Sequence, residues 1–349
     1  MLIGIIGAGL SGLIAGKRLA KAGHEVIVFD KSKGYGGRLA TRYDSDNHEI
    51  KFDHGCPHIS GSDPRFKEFI NELKDKGLVK PWCDGFHYWN GDQLLRRHPQ
   101  KPAEQFYYAE GGISEIGKYL SRWSDVRLNT KVIGFTYIGK NNSRKKPWML
   151  NFENSTVLEV DAIIISTPAV QTYGLIENSQ DQTIFRTIIK DIDTVMYNPK
   201  FSLMLTYDGE QIPEWEGIYC NNDVIHWIGN ESSKRDNSGK LTLVCHSKGE
   251  FAQKHILDAT DLDKVRTEMV LALRKIIGDW AGRFDKSQIH RWRYSQPRNY
   301  FKFDFVKAGY DDAPVALVGD YMKGDSTEHA YLSGYELADY WIDFYSKKE

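Results

Sequence analysis

The chain opens on the stretch LIGIIGAGLSG, which occupies residues 2–12 and decides the fold. Its apolar run, Leu2–Ile6, is typical of a strand buried in a parallel sheet, and the glycines that follow indicate a tight turn. Residues 13–22 then have the apolar spacing of a helix, and Glu25–Phe29 has the composition of a second strand. The sequence therefore predicts a β-α-β unit at the start of the chain.

Glycines stand at fixed positions in the turn between this first strand and the helix. Gly7, Gly9 and Gly12 form a G-x-G-x-x-G pattern, and Asp30 follows about 20 residues later, at the end of the second strand. Such glycines permit the turn, the approach of a pyrophosphate and close helix packing, while the acidic residue accepts hydrogen bonds from a ribose. The predicted dinucleotide contacts are Gly7, Gly9, Leu10, Ser11, Gly12, Asp30, Lys31 and Ser32.

A second glycine motif follows the second strand and bears on the identity of the dinucleotide. Consecutive N–H groups at Gly36 and Gly37 can form an anion-binding nest, and Arg38 can donate two hydrogen bonds to a phosphate. A second phosphate-facing element favours FAD over NAD. A plain surface loop and an NAD(H) dehydrogenase remain alternatives at this stage.

Composition excludes several classes of protein. The chain has 349 residues, 46 Lys and Arg against 47 Asp and Glu, and a formal net charge of −1, so no global charge favours nucleic acid or an anionic membrane. The four cysteines have no C-x-x-C spacing and no His, Cys or carboxylate cluster has metal-ligand spacing, so neither a disulfide framework nor a metal is expected. No apolar run approaches the roughly 20 residues of a membrane span. We expect a cytoplasmic protein.

The motifs together resemble the flavin amine oxidase superfamily, which has the glutathione-reductase-type FAD fold. The resemblance adds Val132, Thr167, Gly319, Asp320 and Ala330 to the cofactor contacts. It implies that Asp320 accepts a bond from a ribityl hydroxyl and that the helix beginning near residue 327 points its positive end at the flavin. The matching segments are Asp53-His54-Gly55, Gly111-Gly112-Ile113, residues 129–135, residues 161–168 and Gly319-Asp320 followed by Ala330-Tyr331-Leu332-Ser333-Gly334.

Within that superfamily, three segments of the chain are similar to renalase-like proteins: Trp227 with residues 230–234, residues 243–251 and residues 290–294. This resemblance implies hydride transfer from a C–H next to nitrogen, in a dihydronicotinamide isomer or an amine, to N5 of the flavin. Dioxygen would then be reduced to hydrogen peroxide. The FAD is expected to be noncovalent, because no cysteine occupies the position near the C-terminal motif where monoamine oxidases attach theirs. An amine oxidase, desaturase or isomerase with another small substrate, and a non-catalytic FAD-binding protein, remain alternatives.

Two histidines depart from the renalase-like pattern. His58 stands where a tyrosine is usual, and His329 stands where a glycine commonly precedes the alanine. With Tyr331 they are the candidate catalytic residues, either as substrate contacts or as a proton relay. His246, Trp292 and Tyr294 are the candidate substrate contacts. A hydrogen-bonded structural histidine, and aromatic packing between domains, are the alternative interpretations.

The expected fold class is α/β, with an α+β second domain. A three-layer FAD-binding domain would take residues 1–78, 106–170 and 284–349. A mixed-sheet substrate domain would take residues 79–105 and 171–283.

Overall fold

Our computed structural model describes residues 1–100, 102–139, 146–179, 185–256 and 261–347. A six-stranded sheet, built from both ends of the chain, forms the centre of one half of the molecule. Its order is β19-β20-β13-β1-β2-β9, and only β19 runs antiparallel to its neighbour. The first strand lies in the middle, so the turn that follows it opens at the carboxyl edge of the sheet. In the described ranges the strands are β1 (Leu2–Ile6), β2 (Glu25–Phe29), β3 (Arg42–Tyr43), β4 (Lys51–Phe52), β5 (Lys80–Cys83), β6 (His87–Trp89), β7 (Leu94–Leu95), β8 (Phe106–Tyr108), β9 (Asp125–Arg127), β10 (Val132–Tyr137), β11 (Trp148–Phe152), β12 (Val157–Val160), β13 (Ala162–Ile165), β14 (Tyr197–Tyr207), β15 (Gly217–Cys220), β16 (Ile225–Asn230), β17 (Leu241–Ser247), β18 (Lys286–Pro297), β19 (Val306–Tyr310) and β20 (Ala313–Leu317).

Two layers cover this sheet. The α-helices in the same ranges are α1 (Leu10–Lys21), α2 (Pro64–Asp75), α3 (Ser114–Leu120), α4 (Ala169–Glu177), α5 (Arg186–Asp193), α6 (Gly249–His255), α7 (Leu262–Ile277) and α8 (Thr327–Ser346). Apolar side chains of α1, α2, α3 and α8 form one core with the first face of the sheet. The antiparallel strands β10-β11-β12 and helices α4 and α5 form a second core on the other face. The predicted three-layer domain is therefore present.

A seven-stranded mixed sheet forms the second half, in the order β18-β14-β17-β16-β15-β6-β7. One face packs on α6 and α7 through a third apolar core. Strand β18 lies in the range 284–349 that the sequence assigned to the dinucleotide domain, but it pairs with β14 from Tyr197↔Pro297 to Thr206↔Lys286. Those ladder contacts place residues 286–297 in the second sheet. The rest of the domain division stays a prediction.

Candidate functional site

The N-terminus of α1 is shaped to receive an anion. Gly7 has a φ of +108°, a left-handed conformation that side chains rarely adopt. Gly9 caps the helix without any side-chain hydrogen bond, and a Cβ built on it meets no heavy atom within 4 Å. A Cβ on Gly12, in contrast, would lie 2.5 Å from the Gly7 carbonyl oxygen. Gly9 therefore leaves space for a ligand, whereas Gly12 allows close packing.

Asp30 is oriented by backbone groups on both sides. The N–H of Ala8 donates to Oδ2 at 2.8 Å, and the N–H of Ser32 donates to Oδ1 at 2.7 Å. A carboxylate held in this way keeps acceptor positions for ribose hydroxyls and disfavours a phosphate in the same place.

The second glycine motif lies against the first turn of α1. Gly36 and Gly37 have φ values of +91° and +61°, and the Gly36 N–H donates to the Ala8 carbonyl at 2.9 Å. A Cβ on Gly37 would lie 3.3 Å from the Cα of Gly9. The two glycine motifs are thus parts of one surface, as expected for a single extended dinucleotide, although the Gly36 N–H is not free to join the predicted anion-binding nest.

Arg38 makes a contact that the sequence did not predict. Its Nη1 and Nη2 donate to the two carboxylate oxygens of Asp320 at 2.6 and 2.7 Å, and Nη1 also donates to the Ser295 carbonyl at 3.0 Å. Arg38 was expected to bind a phosphate and Asp320 a ribityl hydroxyl. The structure instead pairs the two side chains, although both line the cavity described next.

A cavity of about 1070 Å³ connects the dinucleotide motifs to the seven-stranded sheet. It brings together nearly all the predicted cofactor residues, with Gly12 the exception because it packs inside the turn. The predicted residues that line it are Gly7, Gly9, Leu10, Ser11, Asp30, Lys31, Ser32, Gly36, Gly37, Arg38, Val132, Thr167, Gly319, Asp320, Ala330, His58, His246, Trp292 and Tyr294. The N-terminus of α8 also faces this cavity through Thr327 and Ala330.

His329 and Tyr331 do not line the cavity, contrary to the sequence-based prediction. Successive helix residues are rotated by about 100°, so Ala330 faces the cavity while its two neighbours point elsewhere. The His329 Nδ1 lies 2.7 Å from the Oγ of the N-cap residue Ser326. Tyr331 is buried in the first core, where its ring stacks on Phe69 at 4.9 Å.

The far side of the cavity is one face of the seven-stranded sheet, which we call the sheet wall: Lys200, Tyr219, Trp227, His246 and Trp292. Cross-strand pairs place these side chains together, with Lys200 opposite Trp292, Trp227 opposite His246, and Tyr219 opposite Trp227. Ser202 lies two residues after Lys200 and opposite His246. It therefore connects the Lys200–Trp292 pair to the row of His246, Trp227 and Tyr219.

The His54 carbonyl fixes several side chains of this region. It accepts hydrogen bonds from Ser202 Oγ at 2.7 Å, Trp292 Nε1 at 3.1 Å and His246 Nε2 at 3.2 Å. Burial lowers the pKa of His246, so its imidazole is neutral. With Nε2 donating to the carbonyl, Nδ1 carries a lone pair and is an acceptor.

His58 lies in a cluster of aromatic rings. Its imidazole stacks on Phe86 at 5.1 Å and meets Phe106 edge-on at 4.7 Å. Its Nε2 is 3.5 Å from the Tyr219 hydroxyl. The predicted candidate therefore reaches the cavity, on the side of the sheet wall.

Lys200 is a cavity residue that the sequence analysis did not single out, and Cys56, next to the matching segment Asp53-His54-Gly55, also lines the cavity. Burial lowers the pKa of Lys200 and raises the pKa of Cys56. The Cys56 thiol donates to the His58 carbonyl at 2.9 Å. The lysine lies on a strand beside Pro199 without a recognisable motif, so only the strand register, which the sequence does not reveal, could have identified it.

Four buried charges join the two halves of the molecule; we call Asp53, Glu231, Lys234 and Arg235 the charge quartet. Arg235 Nη2 donates to Asp53 at 2.5 Å, and Lys234 Nζ donates to Glu231 at 2.7 Å. Lys234 also donates to the Pro57 carbonyl at 2.7 Å, next to His58. Burial alone would raise the pKa of Asp53, but Arg235 and Lys234 lower it to about 2.

Metal-ligating clusters and membrane-spanning helices are both absent from the described ranges. Within those ranges, no group of three or more His, Cys, Asp or Glu side chains could hold a metal ion. No helix in the same part of the chain has the length and apolar character that crossing a bilayer requires.

Sequence comparison supports the dinucleotide domain directly. Residues 5–73 match the family described as NAD(P)-binding Rossmann-like domain. A flavin-containing monooxygenase of Arabidopsis thaliana, FMO GS-OX-like 7, is 25% identical over 177 residues, which cover 47% of this chain and 34% of that protein. The chain thus spans about a third of the length of this curated relative, and less of the desaturases that it also matches.

Comparison of structures extends the likeness to the whole chain. A putrescine oxidase bound to putrescine superposes with a TM-score of 0.72 at 14% identity, covering 98% of this chain and 99% of that one. Cyclohexylamine oxidase from Brevibacterium oxydans IH-35A gives a TM-score of 0.72 at 12% identity and 98% coverage of both chains. The predicted fold class is confirmed: the chain shares its fold with putrescine oxidase and cyclohexylamine oxidase, and residues 5–73 match a Rossmann-like domain.

Proposed function

We propose that the protein is a noncovalent FAD-dependent oxidoreductase. The observation that carries this proposal is the single cavity that extends from Gly9, Asp30 and Gly36 to the aromatic sheet wall. Open space at Gly9, the N-terminus of α1 without a side-chain cap and the oriented Asp30 carboxylate fit the pyrophosphate and adenosine of a dinucleotide. The remaining length, lined by Val132, Thr167, Gly319 and Ala330, suits a flavin rather than a nicotinamide alone.

When bound, FAD would supply an acceptor for a hydride from a C–H next to nitrogen and would pass the electrons to dioxygen, giving hydrogen peroxide. The chain's own residues would bind and orient the cofactor and the substrate. The positive end of α8 would favour negative charge beside it. Trp227 and Trp292 would hold a flat substrate and exclude water, and the neutral His246 would accept a hydrogen bond at Nδ1.

The substrate class that we propose is the one found in renalase-like proteins, a dihydronicotinamide isomer, with a small amine as the alternative. The aromatic sheet wall supports a flat substrate. Fold similarity to putrescine oxidase and cyclohexylamine oxidase supports oxidation beside a nitrogen. Noncovalent attachment is supported by Cys56, whose thiol has a raised pKa and donates to a carbonyl. The four cysteines of the chain are all free, which is compatible with a reducing cytoplasm.

An absorption spectrum of the purified protein tests the proposal. We expect flavin bands, release of intact FAD on denaturation, bleaching by dihydronicotinamide isomers or amines without oxygen, and peroxide when air is admitted. Colourless protein that takes up no added FAD would contradict the proposal, and release of NAD would favour a dehydrogenase. Bound FAD without bleaching by any member of the panel would favour a non-catalytic flavoprotein.

A further inference from the structure

The charges of the cavity are unevenly distributed. Among the described residues that line it, the carboxylates are Asp30, Asp320 and Asp325. Asp30 accepts from backbone N–H groups of the first turn, and Asp320 is paired with Arg38. Asp325 accepts from Gln296 Nε2 at 2.9 Å and is exposed. All three therefore have protein partners and belong to loops outside the sheet wall.

Lys200 carries the amino group of the sheet wall, and because burial lowers its pKa, an anion beside it would stabilise its ammonium form. No carboxylate among the described residues forms an ion pair with Lys200. Apart from burial, only the Cys56 thiol affects its pKa. Its strand places it opposite Trp292, and it projects from the same face as His246 and Trp227. The Lys200 amino group thus faces the cavity beside flat aromatic surfaces.

An ammonium group that is partly buried without a counter-ion is costly, and an anionic ligand beside Lys200 would offset that cost. A substrate that is a cation would meet Lys200 with no carboxylate to compensate it. We infer that this protein oxidises a flat nitrogen compound that carries an anionic group, a carboxylate or a phosphate, with Lys200 as the counter-ion. The inference rests on the proposed function. It adds the charge of the substrate, which the fold shared with putrescine oxidase does not determine.

Binding of ring compounds of similar size tests the charge preference without turnover. Isothermal titration calorimetry on FAD-saturated protein would compare benzoate, benzamide and benzylamine, which are anionic, neutral and cationic at neutral pH. We expect benzoate to bind at least about tenfold more tightly than either other ligand. Phenyl phosphate in a parallel titration distinguishes the two anions, because the tighter binder of the pair identifies the preferred group.

Variants of Lys200 complete the test. Lys200→Gln should remove the preference for benzoate, and Lys200→Arg, which keeps the charge, should retain most of it. Lys131→Gln is the matched control, since Lys131 also lines the cavity but is paired with Glu153 at 2.6 Å. The inference is overturned if benzoate does not bind, if benzylamine or benzamide binds equally well, or if the preference survives in Lys200→Gln. Failure of FAD to bind in the first place would instead overturn the proposed function.

Discussion

Arg38 and Asp320 are 282 residues apart in sequence and form a two-pronged ion pair, with nitrogen–oxygen distances of 2.6 and 2.7 Å. Arg38 follows the glycine nest of the N-terminal motif, and Asp320 follows the last strand of the six-stranded sheet. The pair therefore connects the beginning and the end of the dinucleotide domain at the cavity. Its geometry matches the planar fork of a guanidinium to a carboxylate.

Breaking this pair should lower the stability of the folded protein. Asp320→Asn leaves the Arg38 guanidinium with a neutral partner, and we expect the free energy of unfolding to fall by about 2 kcal/mol, less than for a fully buried pair because the arginine is partly exposed. Equilibrium denaturation in urea would measure this. Asp325→Asn, the same change at an exposed cavity aspartate, is the control and should change stability by less than about 0.5 kcal/mol.

Two glycines of the first turn should respond differently to the same substitution. Gly9→Ala should leave the fold intact, because its Cβ points into open space, but should weaken FAD binding about tenfold or more by occupying the pyrophosphate position. Gly12→Ala should destabilise the protein itself, because its Cβ would overlap the Gly7 carbonyl. Thermal unfolding and FAD titration separate the two effects.

Gly34→Ala provides the control for both variants, since that Cβ also meets no atom within 4 Å but Gly34 does not line the cavity. Equal loss of FAD affinity in Gly34→Ala and Gly9→Ala would contradict the assignment of the pyrophosphate to the first turn.

The dinucleotide half could be predicted from sequence because its information is local. The strand, the glycine turn and Asp30 lie within 30 residues, and each glycine has a steric reason that holds in any protein with this turn. Val132 and Ala330 also line the cavity, and the resemblance selected them through the short motifs that contain them. The resemblance identified these positions from local motifs alone, without information on long-range contacts.

Long-range pairing and helix rotation explain what the sequence did not predict. His329 and Tyr331 flank Ala330 in sequence, but Tyr331 packs on Phe69 of α2 and His329 lies against Ser326. Lys200 reaches the cavity through the register of β14 with β18. The charge quartet joins Asp53 to residues that lie 178 or more positions further along the chain. No local pattern records these contacts.

The charge quartet should behave as one buried unit. Lys234→Met removes one cation and leaves Asp53 and Glu231 with an uncompensated negative charge, so we expect a loss of about 3–5 kcal/mol in the free energy of unfolding. Arg266→Met, which breaks the exposed pair with Asp263, should cost less than about 1 kcal/mol. Urea denaturation of both variants measures the contrast, and equal losses would show that the quartet is not coupled.

Acid should destabilise the protein well before its carboxylates are protonated, because buried histidines are held neutral. Burial, together with His290 and Arg42, lowers the pKa of His54 to about 3, from 6.5 for a solvated histidine. The unfolded chain therefore binds a proton below pH 6.5 that the folded chain does not. This contribution to stability is complete above about pH 6.5 and is lost as the pH falls towards 3.

The expected slope is about 1.4 kcal/mol per pH unit for His54 alone in this range. His54→Gln cannot titrate, so its free energy of unfolding should fall less steeply between pH 6 and 4, whatever its stability at pH 7. His48→Gln, at an exposed position, should keep the steeper slope of the unmodified protein. Urea denaturation at a series of pH values gives all three slopes, and parallel curves for His54→Gln and the unmodified protein would show that His54 takes up a proton in the folded state.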